Sequence, residues 1–288
     1  MIITMPSSPN FATVRFTLNR TIAASRSAFT YKQRTQEYDG VYWSAEVTLP
    51  PMKRADALEW TTFLTRLQGL KNTFLMADPS HLTNSGTYNQ TWLATENRVS
   101  DTSETLSFTA SSKTITAATS IFTNAFAGDF IVVSGATNDD NNGTFKIVTI
   151  TDTNNIVVDR DIVDATSQSC TINENKKGIT GLNLIKTGSG SGTIKKGDYL
   201  AIHDAASSTS NPVQYVLAVE DATVGGQSNN FYGVRIEPKL RADIPNNYYV
   251  KFASSKGQFR LASNQTSWSV NEASIYGLAF TAIEVIDG

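Results

Sequence analysis

Val41-Tyr42-Trp43-Ser44-Ala45-Glu46-Val47-Thr48-Leu49-Pro50-Pro51 is the stretch that decides the fold class. Between Gly40 and Pro50, Val41, Trp43, Ala45, Val47 and Leu49 alternate with Tyr42, Ser44, Glu46 and Thr48. An extended chain sends successive side chains to opposite faces, so a period of two marks a strand with one buried face. Pro50-Pro51 ends the strand, because neither residue can donate to a ladder.

The period changes directly afterwards. From about Arg54 to Gln68, Ala57, Trp60, Leu64 and Leu67 recur at steps of three and four, with Phe63 widening the stripe. That spacing predicts one amphipathic helix lying across a sheet. Asp56 and Glu59 fall in its first half, Arg66 near its end, and Gly69 is placed to supply the left-handed terminating residue. Phe11–Leu18 and Thr73–Met76 are short, β-prone runs and are predicted as strands.

Residues from about 83 to 104 are polar and aperiodic, and then the composition shifts. Residues 101–177 carry five Lys/Arg against ten Asp/Glu, whereas the flanking segments 1–100 and 178–288 are basic by three and neutral. This acidic block has its own rhythm of short β runs: 114–116, 130–133, 144–150, 156–158 and 171–172. Longer, aromatic-rich strands are predicted after Gly178, at 199–202, 213–219, 231–236, 258–261 and 278–285. The expectation is a mainly β protein, a β-sandwich or β-barrel core with one packed α-helix. The core would be discontinuous, residues 1–102 with 178–288, carrying residues 103–177 as a small inserted acidic β module that folds by itself.

Composition excludes several functions. A chain of 288 residues can bury a real core without staples. The net charge of −2 argues against nucleic acid as a partner. Charged residues make up 17%, against about a quarter in an average domain, and Ser, Thr, Asn and Gly fill the gap as short strands and polar turns require. The lone Cys170 excludes an internal disulfide and a multi-cysteine zinc site and is read as a buried structural thiol. The sequence shows neither a signal peptide nor an apolar run of membrane-spanning length, so a soluble protein made in a cytoplasm, without membrane insertion, is expected.

Residues with chemical potential do not assemble into a motif. His81 and His203 are the two histidines, neither with ligand spacing to a cysteine or a carboxylate pair. No nucleophile elbow, zinc-protease helix or Walker sequence is present. Gly188-Ser189-Gly190-Ser191-Gly192 lacks the following helix that an anion site needs and reads as a loop. Asp139-Asp140-Asn141-Asn142-Gly143 offers oxygens of a kind that suits calcium but lacks the later glutamate of an EF-hand, and a turn is expected there. Asp159 and Asp161, beside Arg160, read as solvated charges. Trp43 and Trp60 fall on core faces. Trp92, Trp268 and Tyr248-Tyr249 sit in polar surroundings, where interface roles are open to them. No catalytic, cofactor-binding or metal residue is assigned, no cofactor is expected, and the protein is not expected to be an enzyme.

The strand, double proline and helix, with Asn72-Thr73-Phe74 and Asp78-Pro79 beyond them, resemble the amino-terminal part of distal tail or tail-hub proteins of long-tailed phages and prophages. Gly197-Asp198-Tyr199-Leu200, Val234 to Arg241, Gly257 to Leu261 and Ala282-Ile283-Glu284-Val285 resemble the far end of the same family. The resemblance spans about two thirds of the chain, rests on packing patterns and omits the acidic block. It implies a structural virion protein, a ring-forming subunit at the tail tip or baseplate. Its partners would be further copies of itself, in a hexamer or a trimer, together with the tail tube protein and tip-hub or receptor-binding proteins. Some small β insertions in such proteins bind host surface sugars, so a carbohydrate-binding tail protein is the alternative expectation.

Overall fold

The computed structural model describes residues 1–81, 83–88, 92–186, 192–203, 211–224 and 231–286. The fold is mainly β, with closed barrels, open sheets and, among the described residues, one α-helix, the class expected from the sequence. Residues 1–82 and 256–288 form one compact unit and residues 83–255 another.

In the first unit, strands run in the order Thr13–Asn19, Tyr42–Thr48, Ile275–Glu284, Gly257–Leu261 and Phe74–Met76, all antiparallel. Val41, Trp43, Ala45, Val47 and Leu49 are all buried, as their alternation requires. The helix Arg54–Leu67 buries Ala57, Trp60, Phe63, Leu64 and Leu67. Its aromatic side chains meet those of the sheet: Phe63 and Phe74 lie 5.4 Å apart and edge-on, and Trp60 is 6.3 Å from Phe280. The left-handed turn at its end starts at Gln68, φ 52°, one residue before Gly69, φ 65°. Gly69 is needed for a second reason, because a Cβ there would lie 2.6 Å from Asn264 Oδ1.

The second unit holds two closed barrels. The acidic barrel runs Phe130–Ser134, Gly143–Ile150, Asn155–Val158, Thr114–Ala117, Ser100–Thr109 and Ala165–Asn173 before closing on itself. Leu106, Phe108, Ile115, Phe145, Ile147, Ile156 and Ile172 fill it. The flanking barrel runs Gly181–Lys186, Phe231–Glu237, Pro212–Ala218, Tyr199–His203, Tyr249–Lys251 and Trp92–Thr95. In chain order the acidic barrel is therefore inserted between the first and second strands of the flanking one.

This division differs from the expected core of 1–102 with 178–288, and strand pairing is the reason. Trp92–Thr95 pairs with both Gly181–Lys186 and Tyr249–Lys251, so most of the returning segment closes on residues 92–95, and only residues from 256 onward pair with the first unit's sheet. The first strand of the acidic barrel begins at Ser100, inside a stretch read as aperiodic. The acidic barrel is also less self-contained than expected: Phe130, on one of its strands, packs in the core of the flanking barrel with Leu182, Leu184 and Val234.

Candidate functional site

His81 closes the short 3-10 turn Pro79–His81, its Nδ1 2.8 Å from Ser80 Oγ and 3.2 Å from Asp78 Oδ2. His203 ends the strand Tyr199–His203 and is buried. Among the described residues, no group of three or more His, Cys, Asp or Glu side chains could hold a metal ion. Asp139–Asn141 forms a 3-10 turn in which Asn138 accepts the Asp140 N–H at 3.0 Å. Asn141 is buried and exchanges two 2.8 Å hydrogen bonds with the Val163 backbone. Arg160 lies over the Phe145 ring at 4.0 Å and donates to the carbonyls of Asp140 and Asn142. Burial lowers its pKa, against the opposing charges of Asp159 and Asp140. Much of this turn's oxygen chemistry therefore serves the barrel itself.

The remaining sequence candidates are dispersed. Gly188–Ser191 lie outside the described residues, while Gly192 begins the strand Gly192–Ile194. Asp159 pairs with Arg235 at 2.7 Å. Asp161 pairs with Lys113 at 2.8 Å, and that hydrogen bond holds its carboxyl below the ordinary range. Cys170 is buried, and burial pushes its thiol up. Trp43 and Trp60 are buried, Tyr248 and Tyr249 are half-buried, Trp268 is 46% exposed, and the Trp92 side chain lies outside the description. No described helix is long and apolar enough to cross a membrane.

The most exposed feature in the first unit is a hairpin that the sequence reading did not identify. Strands Ile22–Arg26 and Gln33–Glu37 pair with each other in a two-stranded sheet, and every residue of both is exposed. The ribbon continues the Thr13–Asn19 and Tyr42–Thr48 pair past a joint at Arg20-Thr21 and Tyr38–Val41. There Tyr38 N–H donates to Thr21 O at 2.9 Å and Thr21 Oγ1 donates to Gly40 O at 2.8 Å. Gly40 suits this joint, since a Cβ would stand 2.8 Å from Thr21 Oγ1. At the tip, Ser27 Oγ accepts the N–H groups of Phe29 and Thr30, and Arg26 covers the Tyr31 ring at 4.4 Å. Phe29 is 96% exposed and Tyr31 65%, with Ile22 and Tyr38 also bare. Residues 20–38 carry Arg20, Arg26, Lys32 and Arg34 against Glu37, a net of +3. The arm thus joins bare aromatic surface to positive charge.

A second concentration of polar chemistry is buried in the other unit. The Arg98 guanidinium lies 2.5 Å from Asp129 Oδ1, with both side chains almost wholly buried. Glu174 Oε2 accepts the Arg98 N–H at 2.6 Å. Burial and then the charge of Asp129 push Glu174 up to about 8, against the pull of Arg98. Burial raises Asp129 in the same direction. The Arg98 guanidinium therefore pairs with Asp129 while its main-chain N–H serves Glu174, and burial raises both carboxyl groups.

These features define a class: a mainly β, two-barrel protein with a projecting hairpin. No protein-family model matches the chain, and no curated protein matches it.

Proposed function

We propose that this chain is a structural virion protein, a ring-forming distal tail subunit that links a phage tail tube to the tip or receptor-binding apparatus. It works by assembly and docking, without catalysis. The observation that carries the reading is the arm at residues 20–38. A two-stranded ribbon with no sheet or helix over it is only marginally stable in water. This one leaves Ile22, Phe29, Tyr31 and Tyr38 largely exposed, apolar surface that a monomer does not bury. Aromatic residues and arginine are the side chains enriched where protein surfaces meet. The arm is rooted in the end strand of the sheet, so it leaves the body in a fixed place. When one copy reaches a different surface on the next, the contact is head-to-tail, and a rotation that closes gives a ring. The interspersed positive charge keeps such an edge from pairing indiscriminately. The partners in this reading are further copies in a hexamer or trimer, the tail tube protein, and tip-hub or receptor-binding proteins.

Negative-stain imaging of the full-length protein, alone and with tail tube protein, tests the reading. Rings with a central opening that stack on the tube end are expected. Uniform single particles under both conditions would overturn it.

A further inference from the structure

We infer that the acidic barrel and the flanking barrel are locked into one rigid strut, with Phe130 as the bolt and the Asn183 side chain as the bracket that holds it. The alternative is an insert that swings on its two chain crossings, residues 96–99 and 174–180. The buried geometry favours the lock at three levels.

Phe130 belongs by sequence to the acidic barrel and by packing to the core of the other. Its ring fits there because two strands of the flanking barrel carry glycine beneath it. A Cβ at Gly181 would come within 2.0 Å of the Phe130 ring, and one at Gly233 within 2.1 Å of Gly128 O and 2.7 Å of the ring. The backbone of Phe130 is held as well: its N–H donates to Asn183 Oδ1 at 2.7 Å, and its carbonyl accepts from Asn183 Nδ2 at 2.8 Å. Asn183 sits on the strand Gly181–Lys186 and is fully buried. A buried asparagine spends its hydrogen bonds where leaving them unmade would cost most.

The two crossings are tied to each other. Glu174 on one accepts the Arg98 N–H on the other, and the Arg98 side chain reaches Asp129, next to Phe130. Asn175 donates to the carbonyls of Glu96 and Asn183, both at 3.1 Å, and accepts the Asn183 N–H at 2.7 Å. At the rim, Arg235 joins Asp159 and Glu220, Lys146 also reaches Glu220, and both cations face the Phe130 ring. The rim pairs are partly solvated and contribute little; the buried set decides.

Spin labels on Val148→Cys in the acidic barrel and Val213→Cys in the flanking barrel, both exposed positions, test this in the full chain by pulsed electron resonance. Cys170 is buried with its thiol pushed up, so labelling falls on the introduced pair. The expected result is a single narrow distance distribution. It should stay narrow between ~0.05 M and ~1 M salt, a range that screens the rim pairs. Gly233→Ala, which collides with the bolt, should broaden it while the acidic barrel's own amide signals persist. A broad or multimodal distribution in the unaltered junction would overturn the inference, whatever the variant does. So would a distribution that Gly233→Ala leaves unchanged.

Discussion

Phe130 and Asn183 meet as two antiparallel strands would, the side-chain amide of one standing in for a backbone partner of the other, at 2.7 and 2.8 Å. Asn183→Leu keeps the volume and removes the bracket, leaving a buried N–H and a buried carbonyl unmatched. Each such group costs about 1–3 kcal/mol. Chemical denaturation should register a loss of that order. A loss below about 0.5 kcal/mol, the range of a surface change, would contradict the role assigned to Asn183.

Replacing residues 103–177 by a short Gly/Ser bridge would be harmless if the acidic barrel were a free-standing decoration. Here the deletion also extracts Phe130 from another barrel's core, where Gly181 and Gly233 supply no side chain to refill the space. Losing a buried phenylalanine typically costs about 3–5 kcal/mol. The bridged chain should melt well below the parent and bind an apolar dye. Cooperative melting at the parent's temperature would contradict this.

In the first unit, Trp60 is 1% exposed between Phe11, Phe63 and Phe280, whereas Glu59 on the same helix faces outward. Trp60→Ala should cost about 3–5 kcal/mol and Glu59→Ala under about 0.5 kcal/mol. Equal, small shifts in the two melting midpoints would show the buried face to be misassigned.

Glu174 gives stability a pH dependence of known sign. Folding raises its pKa from 4.5 to about 8, so between those values the folded chain holds the proton more firmly than the unfolded chain does. Its contribution is complete below 4.5 and is lost as pH rises through about 8. Asp129, raised by the same burial, adds to this fall with the same sign, whereas the exposed Asp152, Asp161, Asp221 and Asp243 are shifted below 3.8 and act in the more acid range. Glu174→Gln should therefore flatten the fall in melting temperature from about pH 5 to about pH 9. Superimposable profiles would show that Glu174 contributes nothing to the fall.

What was legible in the sequence was whatever repeats locally. The alternation from Val41 to Leu49 and the helical stripe from Ala57 to Leu67 are properties of one segment and its own period, and both are buried as read. Closure of the flanking barrel is not local, because Trp92–Thr95 finds its partners roughly ninety and more than a hundred and fifty positions away. No window contains that information. The arm was missed because Ile22–Arg26 and Gln33–Glu37 bury neither face and so have no reason to alternate. Asn183 left a faint trace as a polar residue amid Leu182, Leu184 and Ile185, with glycine at 181, but its partner Phe130 lies 53 positions back.

Whether the arm closes a ring is read most directly from the mass of the particle. Native mass measurement should compare the full chain with a variant whose residues 22–37 are replaced by a tight two-residue turn, across a wide range of protein concentration. Both strands are exposed along their whole length, so the variant should melt close to the parent. The full chain should form a closed oligomer of six copies or three, and the variant a folded monomer. A full chain that stays monomeric throughout the range, or a shortened chain that assembles just as well, would contradict ring closure by the arm.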